Sequence, residues 1–294
     1  MSGRLIICAT PIGNLDDASP RLARTLAEAD VVFAEDTRRT GKLLERLGVT
    51  ADLRSFFAGN EAQRAGELRS RLEQGETVAL VSDAGMPGVS DPGVAAVRAA
   101  RAAGAVISVI PGPSAVTSAV AVSGFGGDRF VFEGFLPRSG NDRSRRIEAI
   151  AAETRPVALF SAPGRVVNDL EDLATAADGG RGIVVVREVT KLHEEIWHGT
   201  LSGAIRRWTE DVEPRGEFTL VVEPREEEAP DLWSALDIVH DRMESGERLS
   251  TAVRDVAEET GVSRRVLYDA ALGARASTRR RTQTDDSPGT PRDP

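Results

Sequence analysis

VALVSDAGMPGVSDPGVAA runs from Val78 to Ala96 and passes from an apolar strand into small helix-forming residues. The loop between these parts, residues 82–93, contains two Asp, three Gly and two Pro. Glycine allows the backbone to approach another group closely, and proline fixes φ. Such a loop can present main-chain N–H and C=O groups to a ligand without a bulky side chain in the way. Because ligands of open α/β sheets bind at the carboxyl ends of the strands, this stretch predicts an α/β fold with a binding loop.

The rest of the chain alternates short β-branched runs with helical patterns. Strands are predicted first at 5–10, 31–35, 77–83 and 106–112, and then at 129–135, 155–163, 181–190 and 217–224. Helices are predicted between them at 19–29, 37–48, 61–75, 93–104, 142–153, 164–177 and 201–210. Alternation of strands and helices over this length predicts an α/β sheet with a substantial parallel part.

The sequence predicts four regions. The loop-like stretch SGFGGD ends at Asp128 and separates a first α/β domain, residues 1–123, from a second, residues 124–225. A small helical module is predicted at 226–275. The polar, Pro-containing tail at 276–294 is predicted to be disordered.

Composition restricts the class of protein. The 294 residues are 40% hydrophobic and have a net charge of -9, which argues against a uniformly basic nucleic-acid binder but not against a local basic patch. The single cysteine, Cys8, excludes a disulfide framework within one chain. No metal site is predicted, because His193 and His198 have no apparent third ligand. We find no spanning apolar run and no signal peptide, and we predict a soluble cytoplasmic protein without a membrane partner.

Four loops follow predicted strands, at 10–17, 35–40, 82–93 and 111–119, and all but the loop at 35–40 combine Gly or Pro with a small polar residue. None of them has the glycine spacing of a dinucleotide-binding fingerprint or of a P-loop. One such loop is typical of an ordinary tight turn. Four in successive crossovers predict a pocket.

A set of motifs spans these loops and the second half of the chain: TPIGNLDD, AEDTRRTGKLL, LVSDAGMPGVSDPG, IPGPSAVTSAVAVSG, FEGFLPR, REVTKLHEEIWHGTL and RGEFTLVVE. Over about residues 4–275 the chain resembles the tetrapyrrole-methylase superfamily and, within it, the ribosomal RNA small subunit methyltransferase I family. The resemblance implies two α/β domains with S-adenosylmethionine in the cleft between them. It also implies 2'-O-methylation of a cytidine in the decoding region of 16S rRNA within the small ribosomal subunit, by a homodimer.

The resemblance further implies which residues contact S-adenosylmethionine. Positions that match the family's cofactor contacts in the first domain are Pro11, Asp83, Ala84, Gly85, Pro87, Pro113, Ser114 and Ala115. Matching positions in the second domain are Phe160, Ser161, Glu188, Thr219 and Leu220. One stretch departs from the pattern: FSAPGR, at 160–165, has Ser161 where relatives tend to carry Glu and Gly164 where they carry His. A role that depends on that Glu or His is therefore not carried over to this chain.

Methyl transfer to a ribose hydroxyl needs alignment and a proton acceptor. Candidate bases or orienting groups are Glu35, Asp36 and Glu188. Arg38 and Lys191 are candidates to hold a phosphate or to polarise the hydroxyl. The sequence EDTRR places charged groups just after a strand, where they can face a cleft, but it equally suits the first turn of a helix. Both interpretations stay open for Asp36.

RNA contacts require local positive charge despite the acidic total. Besides Arg38, the segment PRSGNDRSRR at 137–146 offers Arg143, Arg145 and Arg146. This segment is either a mobile basic loop near the mouth of the cleft or the solvated start of a helix.

The segment at 249–272 resembles a helix-turn-helix. Ser250 is predicted to cap a helix, residues 261–263 to form a turn, and Arg264 and Arg265 to open a second helix that contacts RNA. Seven Arg face four acidic residues over 249–284, which fits an RNA-docking module. Helical hairpins of this length are also ordinary packing units.

Two other functions remain open. The first is a methyltransferase of the same fold that acts on a tetrapyrrole or another small molecule. The second is a ligand-sensing regulator that binds nucleic acid through its terminal helices.

Overall fold

The computed structural model describes residues 3–226 and 231–283, with side chains described up to residue 273. The chain divides into two compact units, Met1–Arg225 and Glu226–Pro294. Both predicted α/β halves lie in the first unit, and the predicted helical module begins the second.

The first half of the larger unit is a five-stranded sheet with the strand order β3-β2-β4-β1-β5, and all its pairs are parallel. Its strands are β1 (Arg4–Cys8), β2 (Val31–Ala34), β3 (Leu53–Ser55), β4 (Thr77–Val81) and β5 (Val106–Ile110). Its helices are α1 (Pro20–Glu28), α2 (Thr37–Leu47), α3 (Glu61–Glu73), α4 (Val94–Ala102) and α5 (Ala115–Ser123).

The apolar runs explain why β1, β2 and β4 lie in the middle of this sheet. A parallel strand covered on both faces needs apolar residues at every position rather than at alternate ones. Phe33 packs with Phe56 on one face, whereas its neighbour Val32 packs on the other face. Local signals set the helix ends: Ser19 accepts a hydrogen bond from the Leu22 N–H at 3.1 Å, and Gly48 ends α2 with φ +66°.

The second half is a mixed five-stranded sheet with the order β6-β7-β10-β8-β9. The strands are β6 (Val131–Phe135), β7 (Val157–Ser161), β8 (Gly182–Arg187), β9 (Glu195–Thr200) and β10 (Phe218–Val222). The β6–β7 pair is parallel, and the β7–β10, β10–β8 and β8–β9 pairs are antiparallel. The helices are α6 (Asn141–Ala152), α7 (Val166–Ala177) and α8 (Leu201–Arg206), which continues as a π-helical turn, Arg207–Asp211.

The predicted α/β fold class is confirmed, but three elements were not predicted. Strand β3 has only three residues and no continuous apolar run, and β9 is an edge strand with several exposed positions. Helix α5 occupies much of the predicted loop at 111–119. Its sequence, AVTSAVAVS, has no charged residue and so lacks the polar face that marks an amphipathic helix; Val116, Ala119 and Val120 pack on the second sheet.

The second unit contains α9 (Leu232–Glu244), α10 (Leu249–Thr260) and α11 (Arg264–Gln283) around a core that includes Val239, Val253 and Leu267. Gly261 ends α10 with φ +72°, as a turn at this point requires. The predicted cap is wrong: α10 begins at Leu249, so Ser250 lies inside the first turn. Helix α11 continues past residue 276, where the disordered tail was predicted to begin, and the rest of that tail, 284–294, lies outside the described residues.

Within the part of the chain that the structure describes, no helix combines the length and the apolar character needed to cross a membrane.

Candidate functional site

A cavity of about 320 Å³ has walls from both sheets of the larger unit, a size within the range of small-molecule sites. Residues that follow β1, β4 and β5 form one side, and residues in or beside β6, β7, β8 and β10 form the other. The lining residues are Ile12, Ala84, Gly85, Met86, Val89, Ser90, Asp91, Ser114, Ala115, Val116, Phe135, Phe160, Ser161, Ala162, Pro163, Val186, Val189, Glu217, Phe218 and Thr219. Three of the four predicted loops therefore meet at one site.

The loop after β4 is fixed against the loop after β1 by backbone hydrogen bonds. The Thr10 N–H donates to the Gly85 carbonyl at 2.9 Å, and the Gly85 N–H donates to the Thr10 carbonyl at 3.1 Å. Gly85 has φ +79°, a conformation that L side chains rarely adopt, and a Cβ there would lie 3.5 Å from Ile12 and 3.8 Å from the Pro113 carbonyl. The glycine therefore lets the loop after β4 pack closely against the loops after β1 and β5 at the cavity wall.

Helix α5 points its N-terminus toward the cavity wall. Its first residues, Ala115 and Val116, line the cavity, and Ser114 caps the helix by accepting a hydrogen bond from the Thr117 N–H. The first N–H groups of a helix have no partner inside the helix and favour polar or anionic groups. This wall can therefore offer hydrogen-bond donors without a charged side chain.

An aromatic group lines the opposite side. The Phe160 ring lies 5.1 Å from the Phe132 ring and 5.4 Å from the Phe135 ring, centroid to centroid. Phe135 lines the cavity and is 51% exposed. An aromatic face of this kind suits a flat ring.

The predicted cofactor contacts divide into two sets. Seven of them line the cavity: Ala84, Gly85, Ser114, Ala115, Phe160, Ser161 and Thr219. The other six are not among the lining residues of the described chain: Pro11, Asp83, Pro87, Pro113, Glu188 and Leu220. Leu220 is fully buried in the core of the second sheet, because adjacent residues of a strand point to opposite faces and Thr219 faces the cavity. The Leu220 side chain is therefore not a cavity contact.

The acids of the EDTRR motif have structural partners. Asp36 caps α2 by accepting a hydrogen bond from the Arg38 N–H at 2.8 Å, and its carboxylate also pairs with the Arg38 guanidinium at 2.8 Å. These Arg38 hydrogen bonds hold the pKa of Asp36 well below its usual range. Glu35 accepts a hydrogen bond from the Asp83 N–H at 3.2 Å. Neither acid lines the cavity, and a strongly acidic carboxyl group is a poor proton acceptor, so the structure favours the helix-start interpretation for Asp36.

Glu188 and Lys191 form a second polar cluster near the cavity. The Lys191 Nζ donates to Glu188 Oε1 at 2.8 Å and to Glu217 Oε2 at 3.0 Å, and Glu188 Oε1 also accepts from the Glu217 N–H at 2.8 Å. Burial raises the pKa of Glu188, but the Lys191 and Glu217 hydrogen bonds outweigh it and the net shift is downward. Of these three residues, only Glu217 lines the cavity. These hydrogen bonds therefore fix the position of Glu217 at the cavity wall. The predicted catalytic roles of Glu188 and Lys191 stay predictions.

The stretch FSAPGR, which departs from the family pattern, takes part in a buried network of hydrogen bonds and ion pairs. The Ser161 hydroxyl donates to Asp169 Oδ2 at 2.6 Å, and Asp169 Oδ1 lies 2.9 Å from Arg143 Nη2 and 3.5 Å from Arg165 Nη2. Both arginines also donate to the Pro137 carbonyl at 3.0 Å. Ser161 is thus tied to a buried acid, and Gly164, which is exposed, is not part of this network in the described chain.

The residues predicted to contact RNA differ in their exposure to solvent and in their ion pairs. Residues 141–152 are a helix, so a mobile loop over 137–146 is wrong from Asn141 onward. Arg143 is only 9% exposed, because Asp169 and Asp172 hold it inside, and it is not available to RNA in this structure. Arg146 pairs with Glu133, whereas Arg145 is exposed and pairs with Asp142.

The remaining predicted RNA contacts are open to solvent. The Arg38 side chain is 88% exposed despite its pairing with Asp36. Arg264 and Arg265 are exposed at the start of α11. These three residues and Arg145 stay candidates for RNA contacts.

Sequence reasoning missed Asp91, which lines the cavity. Burial, reinforced by the negative charge of Glu35, raises the pKa of Asp91 to about 6. The signal was present in the sequence, since Asp91 is the second of the two Asp residues in the loop at 82–93.

The sequence profile of the family described as Tetrapyrrole (Corrin/Porphyrin) Methylases matches residues 4–205, so the fold and the cavity define a protein of that class. A Thermotoga maritima protein named ribosomal RNA small subunit methyltransferase I is 45% identical over 224 residues, which is 76% of this chain and 100% of that protein. A Synechocystis sp. protein of the same name is 42% identical over 273 residues, or 92% of this chain and 98% of that protein. The chain belongs to the ribosomal RNA small subunit methyltransferase I family.

Solved structures agree on the fold. The uroporphyrin-III C-methyltransferase from Thermus thermophilus, complexed with S-adenosylhomocysteine, is similar with a TM-score of 0.54. The two proteins are 16% identical, and the match covers 75% of this chain and 97% of that one.

Proposed function

We propose that this protein transfers a methyl group from S-adenosylmethionine to the 2'-hydroxyl of a cytidine in the decoding region of 16S rRNA. Family membership supports the coarser statement, an S-adenosylmethionine-dependent methyltransferase that acts on small-subunit rRNA. The single observation that supports it most directly is the cavity whose walls contain seven of the positions matched to cofactor contacts.

The residues of the cavity fit S-adenosylmethionine chemically. The cofactor combines a flat purine, a ribose, a cationic sulfonium and an amino acid group. The N-terminus of α5 suits the polar groups, and Phe160 suits an aromatic ring. Asp91 and Glu217 give the cavity negative charge, which suits a cation. S-adenosylmethionine supplies a methyl group that is already activated by the positive charge on its sulfur.

The chain must therefore align the acceptor oxygen and keep water away. The Thr10–Gly85 backbone pair and the buried Ser161–Asp169 hydrogen bond hold the two sides of the cavity in place. Alignment of two reacting groups can contribute about 7–11 kcal/mol to lowering a barrier, so rigid walls are a large part of such an enzyme's function.

RNA binding is assigned to exposed cations rather than to the net charge of the chain. Arg38 and Arg145 in the larger unit and Arg264 and Arg265 in the smaller one are exposed. Phe135, partly exposed at the cavity, is suited to stack on the target base. The homodimer, the cytoplasmic location and the four predicted regions remain proposals that follow from the resemblance and the sequence pattern.

The test uses the purified protein, methyl-labelled S-adenosylmethionine and small ribosomal subunits from a strain that lacks this gene. Nuclease mapping of the label is expected to place it on one 2'-hydroxyl in the decoding region. The control is Gly85→Val, which is expected to abolish labelling, because its side chain requires an unfavourable φ and projects toward Ile12 and Pro113.

The outcomes separate the competing functions. Label on a base or outside the decoding region would contradict the proposed acceptor while leaving an rRNA methyltransferase. Labelling of a tetrapyrrole but not of RNA would favour the small-molecule methyltransferase. Tight RNA binding without transfer, in protein that binds the cofactor, would favour the regulator.

A further inference from the structure

Phe57 is an aromatic side chain that the structure holds at the surface directly after β3. The preceding residue, Phe56, is fully buried and packs edge-on against Phe33, whereas Phe57 is 45% exposed. Single exposed apolar side chains are ordinary on protein surfaces, so exposure alone indicates no function. The way in which Phe57 is held, and the residues beside it, carry the argument.

The turn that carries Phe57 is fixed by hydrogen bonds. The Phe57 N–H donates to Asn60 Oδ1 at 2.8 Å, and the Asn60 N–H donates to the Phe57 carbonyl at 2.9 Å. The Asn60 amide also donates to Ser55 Oγ at 3.1 Å. A Cβ at Gly59 would lie 2.6 Å from Phe57 Cε2, so the ring rests directly against the backbone of Gly59. A ring held in one place loses little conformational entropy when a partner stacks on it.

The same turn is tied to the loop that forms part of the cavity wall. Glu61 follows Asn60, and its Oε1 accepts hydrogen bonds from the Gly93 N–H at 3.1 Å and the Ala95 N–H at 3.0 Å. Residues 84–86 and 89–91 of the loop after β4 line the cavity. Strand β3 lies two strands from β4, which is about 10 Å across the sheet. Phe57 therefore keeps a fixed position close to the cavity.

The loop after β2 lies next to Phe57. Strands β2 and β3 are paired, with Ala34 opposite Ser55, and the Phe56 N–H donates to the Ala34 carbonyl at 2.7 Å. Arg38 and Arg39 lie in the first turn of α2, which begins at Thr37 just after this point. Because carboxyl ends of parallel strands meet at one edge of a sheet, these arginines and Phe57 share the edge at which the cavity lies.

This edge presents positive charge although acids are present. The Arg38 and Arg39 side chains are 88% and 67% exposed, whereas Asp36 and Asp83, the acids with which they pair, are 26% and 23% exposed. The guanidinium groups therefore reach solvent more fully than the carboxylates do. A partner that approaches this edge meets the cations first.

We propose that Phe57, Arg38 and Arg39 form a surface that binds the RNA strand beside the methylated nucleotide, an inference that rests on the proposed function. The two guanidinium groups contact phosphates, and the Phe57 ring stacks on the base of a neighbouring nucleotide. Unpaired RNA is bound in this way by many proteins, since every base has a flat face that fits an aromatic ring. Phe135 at the cavity is left free for the target base.

The first test compares wild type, Phe57→Leu and Phe57→Tyr for binding to small ribosomal subunits. Phe57→Leu keeps an apolar side chain without a flat ring and is expected to weaken binding by about fivefold or more, the loss of one stacked base. Phe57→Tyr keeps the ring and is expected to bind within about twofold of wild type. In turnover, Phe57→Leu should raise KM by the same factor as Kd. Its kcat should be unchanged, because the ring does not touch the reacting atoms.

The second test concerns the phosphate contacts. Arg39→Gln, which can still donate a hydrogen bond to Asp83, is expected to weaken binding and to lower the slope of log Kd against log salt by about one. The matched control is Arg69→Gln, which removes an exposed arginine of α3 that also pairs with an acid and should change neither quantity. Calorimetry with S-adenosylhomocysteine and thermal melts are expected to show that each variant is folded and keeps its cofactor affinity.

Crosslinking identifies what Phe57 touches. Phe57→benzoylphenylalanine, irradiated on small subunits, is expected to crosslink to 16S rRNA within the decoding region. A crosslink to a ribosomal protein alone would overturn the proposal, as would wild-type affinity in Phe57→Leu or equal losses in Phe57→Leu and Phe57→Tyr. The proposed function fails separately. Wild-type protein that gives the RNA crosslink but transfers no methyl group would keep this RNA surface and overturn that function alone.

Discussion

The Asp83 carboxylate accepts a hydrogen bond from the backbone N–H of Asp36 at 2.9 Å and joins the loop after β4 to the loop after β2. Its other oxygen pairs with Arg39 at 3.3 Å. Two residues with predicted cofactor and catalytic roles are thereby bound to each other. Both hold neighbouring loops of the first sheet in register, beside the cavity rather than in its wall.

The effect of replacing Asp83 on stability should depend on whether the new side chain can accept a hydrogen bond from the Asp36 N–H. Asp83→Ala leaves the part-buried Asp36 N–H without its partner, and we expect it to lower the free energy of unfolding by about 1–3 kcal/mol. Asp83→Asn retains a carbonyl oxygen as acceptor and should cost less. Urea unfolding at pH 7 measures both. Equal losses for the two variants would show that the Arg39 ion pair, rather than the backbone hydrogen bond, matters at this position.

Asp36 should behave as a helix cap rather than as a base. Asp36→Ser, which can still accept from the backbone, is expected to retain the melting temperature better than Asp36→Ala. Because the pKa of Asp36 is lowered in the folded state, its contribution is present above its unfolded pKa and is lost as pH falls below that value. The melting temperatures of wild type and Asp36→Ala should therefore differ more at pH 7 than at about pH 2.5. A loss of single-turnover rate in Asp36→Ser without loss of stability would argue for the catalytic role instead.

Arg143 and Arg145 lie on the same helix and should respond differently to removal. Arg143→Met leaves Asp169, which is 1% exposed, as a buried charge with a weaker partner, and we expect it to destabilise by about 3–5 kcal/mol. Arg145→Met removes an exposed pair and should cost less than about 0.5 kcal/mol. Denaturant unfolding gives both values. Charge reversal should separate the two positions further. Arg145→Glu should weaken RNA binding while the protein stays fully folded, whereas Arg143→Glu should lose the fold as well.

Asp91 should reduce stability at neutral pH. Its pKa is raised from 3.8 to about 6, so the folded state binds a proton more tightly than the unfolded state does. The free energy of unfolding should consequently fall as pH rises from about 4 to 6. Asp91→Asn is expected to be more stable than wild type by on the order of 1 kcal/mol near pH 7.5, after allowance for partial exposure, and equally stable near pH 3.5. A stability difference that does not change with pH would contradict the raised pKa.

The smaller unit should contribute to RNA affinity through the start of α11. Reversal of charge in Arg264→Glu with Arg265→Glu is expected to weaken binding to small subunits and to reduce the salt dependence of that binding. Cofactor affinity should be unchanged, since the cavity lies entirely in the larger unit. Arg98→Glu with Arg101→Glu, two exposed changes on α4 that alter the net charge by the same amount, is the control for net charge. Equal losses in both variants would mean that only overall charge is sensed.

Local signals made much of the fold predictable. Some signals act between residues only a few positions apart in the chain. They are Ser19 before Pro20, the glycine at position 48, and the continuous apolar runs of β1, β2 and β4. The same is true of Gly85, whose loop position is visible in the sequence. Strand β9 and helix α5 were missed because their patterns reflect what packs against them rather than their own periodicity.

By itself, the sequence determined the α/β class, three of the loops that line the cavity and, through its motifs, the family. The tertiary structure decided which charged residues are available for chemistry. Asp36 and Asp83 are 47 residues apart in the chain, and Arg143 is buried by acids on the following helix, so neither pairing follows from local spacing. Ion pairing and burial depend on contacts between distant segments, and only folding fixes those contacts. Asp91 differs from the other acids of the site because the fold turns it toward the cavity and pairs the nearby cations with other acids.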